Sequence, residues 1–270
     1  MENSELKNIS TEIRLLVLEM IYKSKSSHIG SAFSIIDILA CLYFEIMKIN
    51  PADCCDINRD FFILSKGHAA AALYATLCRR GYFDRQDLDH YGESGTKLSG
   101  HVIKNCLPGV EISAGSLGHG LPIAGGMALA AKKDGKSNRV FCLMGDGECN
   151  EGSVWEAVIF AGHHRLGNLY GIVDFNNQQG MGRASEILNL AEMDKAWQAF
   201  GWEVRTVDGH DYQAIRGAFN GFDSDKPKLV IAKTIKGKGV SWMEDKIEWH
   251  YKTPTEEQFQ EAVKILTEAI

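Results

Sequence analysis

The chain has 270 residues, of which 45% are hydrophobic and 24% are charged, so it is long enough to bury the core of one large α/β domain. A formal net charge of −6 argues against a nucleic-acid surface, which needs clustered basic residues. No apolar run is expected to reach the length of a membrane span, and the N-terminal MENSELKNIS has no signal-peptide pattern, which predicts a cytoplasmic protein.

Hydrophobic periodicity and turn residues predict an alternation of helices and strands. In chain order we predict helices at 9–23 and 34–47, a strand at 61–64, helices at 69–80 and 121–133, a strand at 140–144, a helix at 153–165, a strand at 169–174, a helix at 187–200, a strand at 202–207, a helix at 212–222, a strand at 229–233 and a helix at 256–268. Ser10 or Thr11 is the expected cap of the first helix, and residues 81–116 show no clear element.

The strands are short and almost continuously apolar. Such strands, when they alternate with helices, indicate a parallel sheet with helices on both faces. We therefore predict an α/β fold in which residues 1–270 form a single domain. Ligands of these sheets lie beyond the carboxyl ends of the strands, so the polar loops there are the candidate site. The seven cysteines are scattered without a CxxC pair, and we assign them no role.

Two of these loops carry oxygen ligands for a divalent cation. The strand at 140–144 runs into Gly145-Asp146-Gly147-Glu148, and the next strand ends in Asp174-Phe175-Asn176-Asn177-Gln178-Gln179-Gly180. Either motif alone is typical of a plain turn. Together they place the Asp146 carboxylate near the Asn176 amide and the Gln178 main-chain oxygen. Mg²⁺ prefers such ligands together with the phosphates of a bound molecule.

Several segments resemble the transketolase family. GDGECNEG, AGHHRLGNL and DFNNQQGMG are similar to its thiamine-diphosphate motif, which opens with GDG and closes with Asn roughly thirty residues later. The resemblance extends from SSHIGSAFS to KTIKGKGVSWMED and Trp249-His250. It implies the thiamine-diphosphate-binding fold of the diphosphate type, with thiamine diphosphate and Mg²⁺ as cofactors.

The resemblance also implies roles for individual residues. The metal ligands are Asp146, Asn176 and the Gln178 carbonyl. The residues expected at the cofactor are His68, Gly115, Ser116, Leu117, Gly145, Asp146, Gly147, Glu148, Asn176, Lys236 and His250. Ser116 and His119 depart from the family's Gly-Pro-Leu-Gly-Gln-Gly loop, which leaves the roles of these two side chains open. Glu151 and Glu156 match family glutamates near the subunit interface.

Four histidines lie in loops beside glycine, serine or tryptophan, and each taken singly is commonly a structural residue. No Cys/His spacing supports zinc. Imidazoles can hydrogen-bond the hydroxyls of a ketose and move protons near pH 7. By resemblance, the catalytic residues are His28, His101 and His250, with His28 and His101 facing the substrate hydroxyls, and His68 lies at the diphosphate.

Full-length transketolases have two further domains, and one supplies the glutamate that activates the cofactor's aminopyrimidine. Residues 255–270 offer only one helix. We therefore expect an N-terminal transketolase subunit, which moves a two-carbon ketol unit from a ketose to an aldose. It would act only with a separate C-terminal subunit, in a heterotetramer of two plus two chains.

Other interpretations remain open. The α subunit of a thiamine-dependent 2-oxo acid dehydrogenase shares the GDG-to-Asn motif. A non-catalytic assembly subunit would keep the fold without turnover. A nicotinamide-dinucleotide protein is disfavoured because no GxGxxG opens a βα unit. The sugars are also open, among pentose phosphates, a phosphorylated branched sugar and a sulfonated sugar.

Overall fold

Five parallel strands form the central sheet of the computed structural model, which describes residues 1–222 and 225–268. The strands are β1 (Phe61–Leu64), β2 (Val140–Gly145), β3 (Leu169–Phe175), β4 (Glu203–Asp208) and β5 (Lys228–Lys233). Their spatial order is β1-β2-β3-β5-β4. The register pairs Gly145 of β2 with Asp174 of β3, so the loops after these two strands leave the sheet side by side.

The middle of the sheet is covered on both faces. In β2, every residue from Val140 to Met144 is fully buried, and successive side chains of a strand point to opposite faces. Strand β4 forms one edge, and its residues are mostly half-buried or exposed. These observations confirm the predicted α/β class with a parallel sheet.

The helices form the layers around the sheet. They are α1 (Asn3–Ser24), α2 (Ile29–Phe33), α3 (Ile36–Cys41), α4 (Ala70–Arg80), α5 (Gly120–Lys133), α6 (Gly152–His163), α7 (Ala184–Ile187), α8 (Met193–Ala199), α9 (Tyr212–Phe219) and α10 (Glu256–Glu268). Helix α5 packs on β2 and against α6, whereas α1 packs against α3, α4 and α10.

Three local predictions were wrong. Ser10 and Thr11 do not cap α1, because the helix begins at Asn3 and buries both residues. The predicted helix at 34–47 is the short helix α3 followed by a π-helical turn, Leu42–Ile46, and α2 ends just before it, at Phe33. The predicted helix at 187–200 is divided into α7 and α8, since Leu188 is extended and Asn189 caps the Ala191 N–H.

The stretch Ile29–Ile46 is a long apolar segment of the described chain. Its mean hydropathy of 1.8 over 18 residues is sufficient, by length and composition alone, for a membrane span. The expectation that no run approaches that length was therefore wrong. However, 83% of the stretch is buried inside the protein, where α2 and α3 pack against the surrounding helices. This burial is typical of the core helices of a globular protein.

Candidate active site

A cavity of about 320 Å³ opens at the carboxyl ends of β2 and β3. The strand register explains its position, because the two polar loops emerge from adjacent strands. The residues that line it are Ser31, Lys66, His68, Leu117, Gly145, Asp146, Gly147, Glu148, Glu151, Asn176, Gln178, Gln179, Gly180, Met181, His250 and Tyr251.

Asp146 is the central carboxylate of this cavity. It is 5% exposed, and its two oxygens accept hydrogen bonds from the Gly147 N–H at 2.7 Å and the Asn177 N–H at 2.5 Å. Burial, followed by repulsion from Asp174, raises the pKa of Asp146 to about 6. Within residues 1–222 and 225–268 the carboxylate forms no salt bridge. A bound cation would therefore relieve an unfavourable buried charge.

The loop after β3 directs further oxygen atoms into the cavity. Asn176 donates from Nδ2 to Asp174 at 3.0 Å, which turns its Oδ1 towards the loop, where it accepts from the Gln178 N–H. In the part of the chain that the structure describes, no backbone N–H donates to the Gln178 main-chain oxygen. Asn176 and Gln178, whose oxygen atoms could bind a cation, thus line the same cavity as Asp146.

Beneath this loop lies a buried ion pair. Lys66 donates to Asp174 at 2.5 Å, and both side chains are almost fully buried. Burial works against the charge of Asp174, but Lys66 and the hydroxyls of Thr234 and Ser34 hold its pKa below the ordinary value. Removing one partner of such a pair typically costs about 3–5 kcal/mol of stability. The pair therefore fixes the platform that orients Asn176.

Glu148 stabilises the cavity through hydrogen bonds to Ser65, Gly118 and Gly145. Its Oε1 accepts hydrogen bonds from the Ser65 hydroxyl and the Gly118 N–H, and its Oε2 accepts from the Gly145 N–H. Burial raises the pKa of Glu148 despite these donors. Glu148 lines the cavity, as expected for a residue at the diphosphate, yet both of its oxygens are engaged with the protein. Its evident task is to join the Gly118 loop to the end of β2.

Four imidazoles gather at the mouth of the cavity. The His28 ring centroid lies 5.2 Å from that of His68, 6.2 Å from His101 and 5.1 Å from His250. His28 has a left-handed backbone with φ of 72°, and its N–H donates to the His250 carbonyl at 3.0 Å. This contact joins two loops that are more than two hundred residues apart in sequence.

Three of the four imidazoles, those of His28, His68 and His250, are half-buried, and their surroundings favour the neutral form near pH 7. Burial, followed by repulsion from neighbouring imidazoles and lysines, lowers the pKa of His28 to about 4 and, with Lys236 as the leading charge, that of His250 to about 3. The pKa of His68 is also well below its ordinary value. Neutral imidazoles both donate and accept hydrogen bonds, as recognition of sugar hydroxyls requires.

One hydrogen bond fixes the tautomer of His250. Lys236, which is 1% exposed, lies with its Nζ 2.8 Å from His250 Nδ1. An ammonium group only donates, so Nδ1 must accept and the ring proton lies on Nε2. Burial and then repulsion from Lys66 lower the pKa of Lys236 to about 8, which leaves it mainly charged at pH 7.

The structure brings most of the predicted site residues together, but not all of them. His28 and Lys236 do not line the cavity, but both contact His250, which does. Gly115 lies close to His101. Ser116 and His119 are exposed, and the His119 ring contacts the Leu117 carbonyl, two residues earlier in the same loop. Glu156 lies outside the cavity, in a separate groove between α5 and α6.

Several lining residues escaped the sequence reasoning. Lys66, Gln179 and Tyr251 adjoin the predicted motifs, but their side chains had no assigned role. Lys66 is the second residue after β1, close to the strand-end position that identified Asp146, which directly follows β2. Nothing in the local pattern marks Tyr251, whose ring lies 4.6 Å from His250.

These residues fit a magnesium ion and a diphosphate. The carboxylate, amide and carbonyl oxygens are the ligands that Mg²⁺ prefers, and ligand phosphates complete such sites. Among the described residues there is no group of three or more His, Cys, Asp or Glu suited to hold a metal without them. Gly147 also lets the backbone of its loop lie close to the Gln179 side chain, because a Cβ at residue 147 would lie only 2.6 Å from Gln179 Cγ.

Comparison with known proteins assigns nearly the whole chain to one family. Residues 5–266 match the family model described as transketolase, thiamine diphosphate binding domain. The chain is 42% identical to one of the subunits of apulose-4-phosphate transketolase from Phocaeicola vulgatus, with 100% of this chain and 95% of the relative covered. It is 41% identical to 6-deoxy-6-sulfo-D-fructose transketolase subunit SqwG of Clostridium sp. (strain MSTE9), with 96% and 95% covered.

Solved structures agree in fold. A crystal structure of transketolase from Campylobacter jejuni superimposes with a TM-score of 0.93 at 34% identity, and it covers 99% of this chain. Transketolase from Leishmania mexicana gives a TM-score of 0.90 at 29% identity. The chain spans only 43% and 41% of those two proteins, whereas it matches the subunit-length relatives from end to end.

Proposed function

This chain belongs to the transketolase family through its thiamine-diphosphate-binding domain, and on that premise we propose that it is the cofactor-binding subunit of a two-subunit transketolase. Its reaction would transfer a two-carbon ketol unit from an anionic ketose to an aldose. Matches to transketolase subunits favour this reaction over that of a 2-oxo acid dehydrogenase. We treat residues 1–270 as one functional domain and expect a cytoplasmic location.

The observation that carries the proposal is the buried Asp146 carboxylate. It lies at the end of β2, beside the oxygen atoms of Asn176 and Gln178 and below four imidazoles. We assign Asp146, Asn176 and the Gln178 carbonyl as ligands of Mg²⁺. The cation would link them to the diphosphate, with His68, Leu117 and the 145–147 backbone around the phosphates.

Bound thiamine diphosphate supplies the carbanion chemistry that breaks and forms the carbon–carbon bond. The chain's own residues bind and orient the substrate. The proton on His250 Nε2 makes that atom a donor into the cavity, since Nδ1 accepts from Lys236. His28 and His101 lie on the outer side of this ring, where they can contact ketose hydroxyls. Because His28 is neutral, it can accept a hydroxyl proton.

A partner chain would complete the site. The relatives at 42% and 39% identity are each named as one subunit of a transketolase, which implies a second kind of chain. The groove of about 300 Å³ between α5 and α6 has exposed apolar side chains beside it, those of Ile123, Ile159 and Phe160. Glu151 lines the cavity and directly precedes α6, one of the two helices of this face. We propose that the partner docks here, in an assembly of two plus two chains.

The relatives from Phocaeicola vulgatus and Clostridium are named for different sugars, a sugar phosphate and a sulfonated fructose. Both of these sugars carry an anionic group. We therefore propose an anionic ketose as the donor, without choosing between phosphate and sulfonate.

Two measurements test this function. Calorimetry with thiamine diphosphate should show binding that requires Mg²⁺, and Asp146→Asn should abolish this Mg²⁺-dependent binding while the chain remains folded. Glu148→Gln is the matched control, because it changes a buried acid of the same turn whose oxygens bond to the protein. It should weaken binding yet keep the metal requirement. Binding that is indifferent to Mg²⁺ would contradict the assignment.

Two-carbon transfer is the second measurement. We expect turnover with a phosphorylated or sulfonated ketose and an aldose only when the co-expressed partner subunit is present. Turnover by the isolated chain, or oxidation of a 2-oxo acid by the complex, would contradict the proposal.

A further inference from the structure

A second buried network of charged residues lies outside the cavity, and the function described above does not use it. Arg14 of α1 binds Asp37 of α3 through both terminal nitrogens, at 3.0 and 2.6 Å. Asp37 also accepts a hydrogen bond from Tyr212 at 3.0 Å and contacts His210 Nδ1 at 2.8 Å. Arg14 and Asp37 are 6% and 3% exposed, so desolvating them is costly unless the network serves a purpose.

The network reaches the backbone on both sides of Lys236. The Ile235 N–H donates to His210 Nε2 at 2.8 Å, one residue before the lysine. Arg14 Nε donates to the Lys238 carbonyl at 3.0 Å, two residues after it. His210 and Arg14, which make these two contacts, both bind the carboxylate of Asp37. The 234–239 loop, which follows β5, is thus held at two points by one buried acid.

The two contacts of the His210 ring, with Ile235 and Asp37, also determine its tautomer. A backbone N–H can only donate, so Nε2 must accept from Ile235, and the ring proton lies on Nδ1, directed at Asp37. Asp37 keeps its charge, because Arg14 outweighs the effect of burial and holds the pKa of the carboxyl well below its usual range. The acid therefore fixes the tautomer that the loop requires.

The held lysine meets the active site. The Lys236 ammonium lies against His250 Nδ1, and the adjacent Gly237 N–H donates to the Gly30 carbonyl at 3.0 Å, close to His28. A shift of the loop would consequently move both the ammonium and the partner of His250. We propose that Arg14, Asp37 and His210 form a positioning clamp, which holds the 234–239 loop so that Lys236 stays buried against His250.

The clamp concerns the geometry of this chain, and its effect on cofactor affinity rests on the proposed function. Two substitutions separate the two hydrogen bonds of His210. In His210→Gln, the amide reaches about as far as Nε2 and keeps an acceptor for Ile235. In His210→Asn, the amide lies near the position of Nδ1, so it keeps a donor for Asp37 and loses Ile235.

The first readout needs no cofactor. NMR of isotope-labelled lysine side chains over a pH titration reports on Lys236, whose signal is assigned by its loss in Lys236→Met. His210→Asn should raise the pKa of Lys236 from about 8 towards 10.5, because a released loop exposes the ammonium to water. His210→Gln should leave it near 8. A pKa of Lys236 that stays near 8 in His210→Asn would overturn the clamp.

The second readout is the Kd for thiamine diphosphate with Mg²⁺. We expect His210→Asn to weaken binding about tenfold, the effect of one lost hydrogen bond, and His210→Gln to stay within about threefold. In the Lys236→Met background, His210→Asn should have no further effect. Additive effects would overturn the clamp, since His210 would then act independently of Lys236.

The two readouts distinguish the clamp from the function. If the wild-type chain with its partner subunit binds no thiamine diphosphate, the proposed function fails, and the NMR titration still decides the clamp. If His210→Asn does not fold, Arg14→Lys takes its place, because it keeps a charge beside Asp37 and loses the Nε donor to Lys238. Arg14→Lys should also raise the pKa of Lys236, and an unchanged value would overturn the clamp.

Discussion

At the scale of single residues, the site depends on how burial changes ionisation. Burial is the largest cause of four pKa shifts that favour the neutral form of the group, those of Asp146, His28, His250 and Lys236. A cavity of this kind favours an ion and a ligand that restore the missing charge interactions. The motif identified Asp146 correctly as a cavity residue, but the engagement of both Glu148 oxygens with the protein became visible only in the fold.

Lys236 provides a pH prediction. Its pKa of about 8 lies below the ordinary 10.5, so its ammonium is present below pH 8 and is lost as the pH rises through that value. A bound diphosphate favours the charged form. We therefore expect the affinity for thiamine diphosphate to fall above about pH 8, by up to about tenfold per pH unit. Calorimetry from about pH 7 to pH 9 in the presence of Mg²⁺ measures the effect.

Two variants sharpen this prediction. Lys236→Arg keeps its charge throughout this range and should bind with little pH dependence. Lys238→Met removes a nearby lysine whose side chain is one-third exposed and pairs with Glu244, and it should retain the wild-type profile. A fall in affinity above pH 8 that persists in Lys236→Arg would assign the titration to another group.

At the scale of secondary-structure elements, the entry to α5 is a tightly constrained connection beside the cavity. Gly118 has φ of +81°, donates to Glu148 and accepts from the Ser153 hydroxyl at 2.8 Å. A Cβ at this position would lie 2.6 Å from both Glu151 Cβ and Ser153 Oγ. The loop that supplies Leu117 to the cavity therefore requires glycine at residue 118.

Gly118→Ala and Gly135→Ala form a matched pair at the two ends of α5. Gly135 also has a positive φ, of +66°, but a Cβ there meets no atom within 4 Å. Gly135→Ala should cost about 1–2 kcal/mol of unfolding free energy, the penalty of a left-handed backbone. Gly118→Ala should cost about 1–3 kcal/mol more, because of overpacking. Chemical denaturation measures both, and equal losses would show that the close contact is not limiting.

At the scale of the whole molecule, the exposed apolar face of α5 and α6 should govern assembly. Ile159 is 49% exposed and adjoins the groove, whereas Ile57, 61% exposed, lies in the loop before β1. A lysine in an apolar docking surface brings an unpaired charge into the interface. Ile159→Lys should therefore reduce association with the partner at least tenfold, and Ile57→Lys should not change it. Sedimentation of the mixed chains measures both, and equal association by the two variants would place the interface elsewhere.

The sequence by itself determined the class of the fold and the identity of the metal-ligand candidates. Apolar strands and helical periodicity are local properties, and the strand-end position of the Gly145–Gly147 and Asn176–Gln178 segments follows from the chain order alone. The broken helix at 188–192 and the early start of α1 were missed, because turn geometry and tertiary burial outweighed the local pattern there.

Only the tertiary structure decided which charged side chains have hydrogen-bonding partners and which residues those partners are. Glu148 finds its donors 83 and 30 residues away, at Ser65 and Gly118, and Asp37 meets His210 across 173 residues. Such pairings depend on distances of a few ångströms between elements remote in sequence, which no local pattern encodes. The pKa of a buried group depends on these same distances, so the electrostatic character of the cavity is a property of the folded chain.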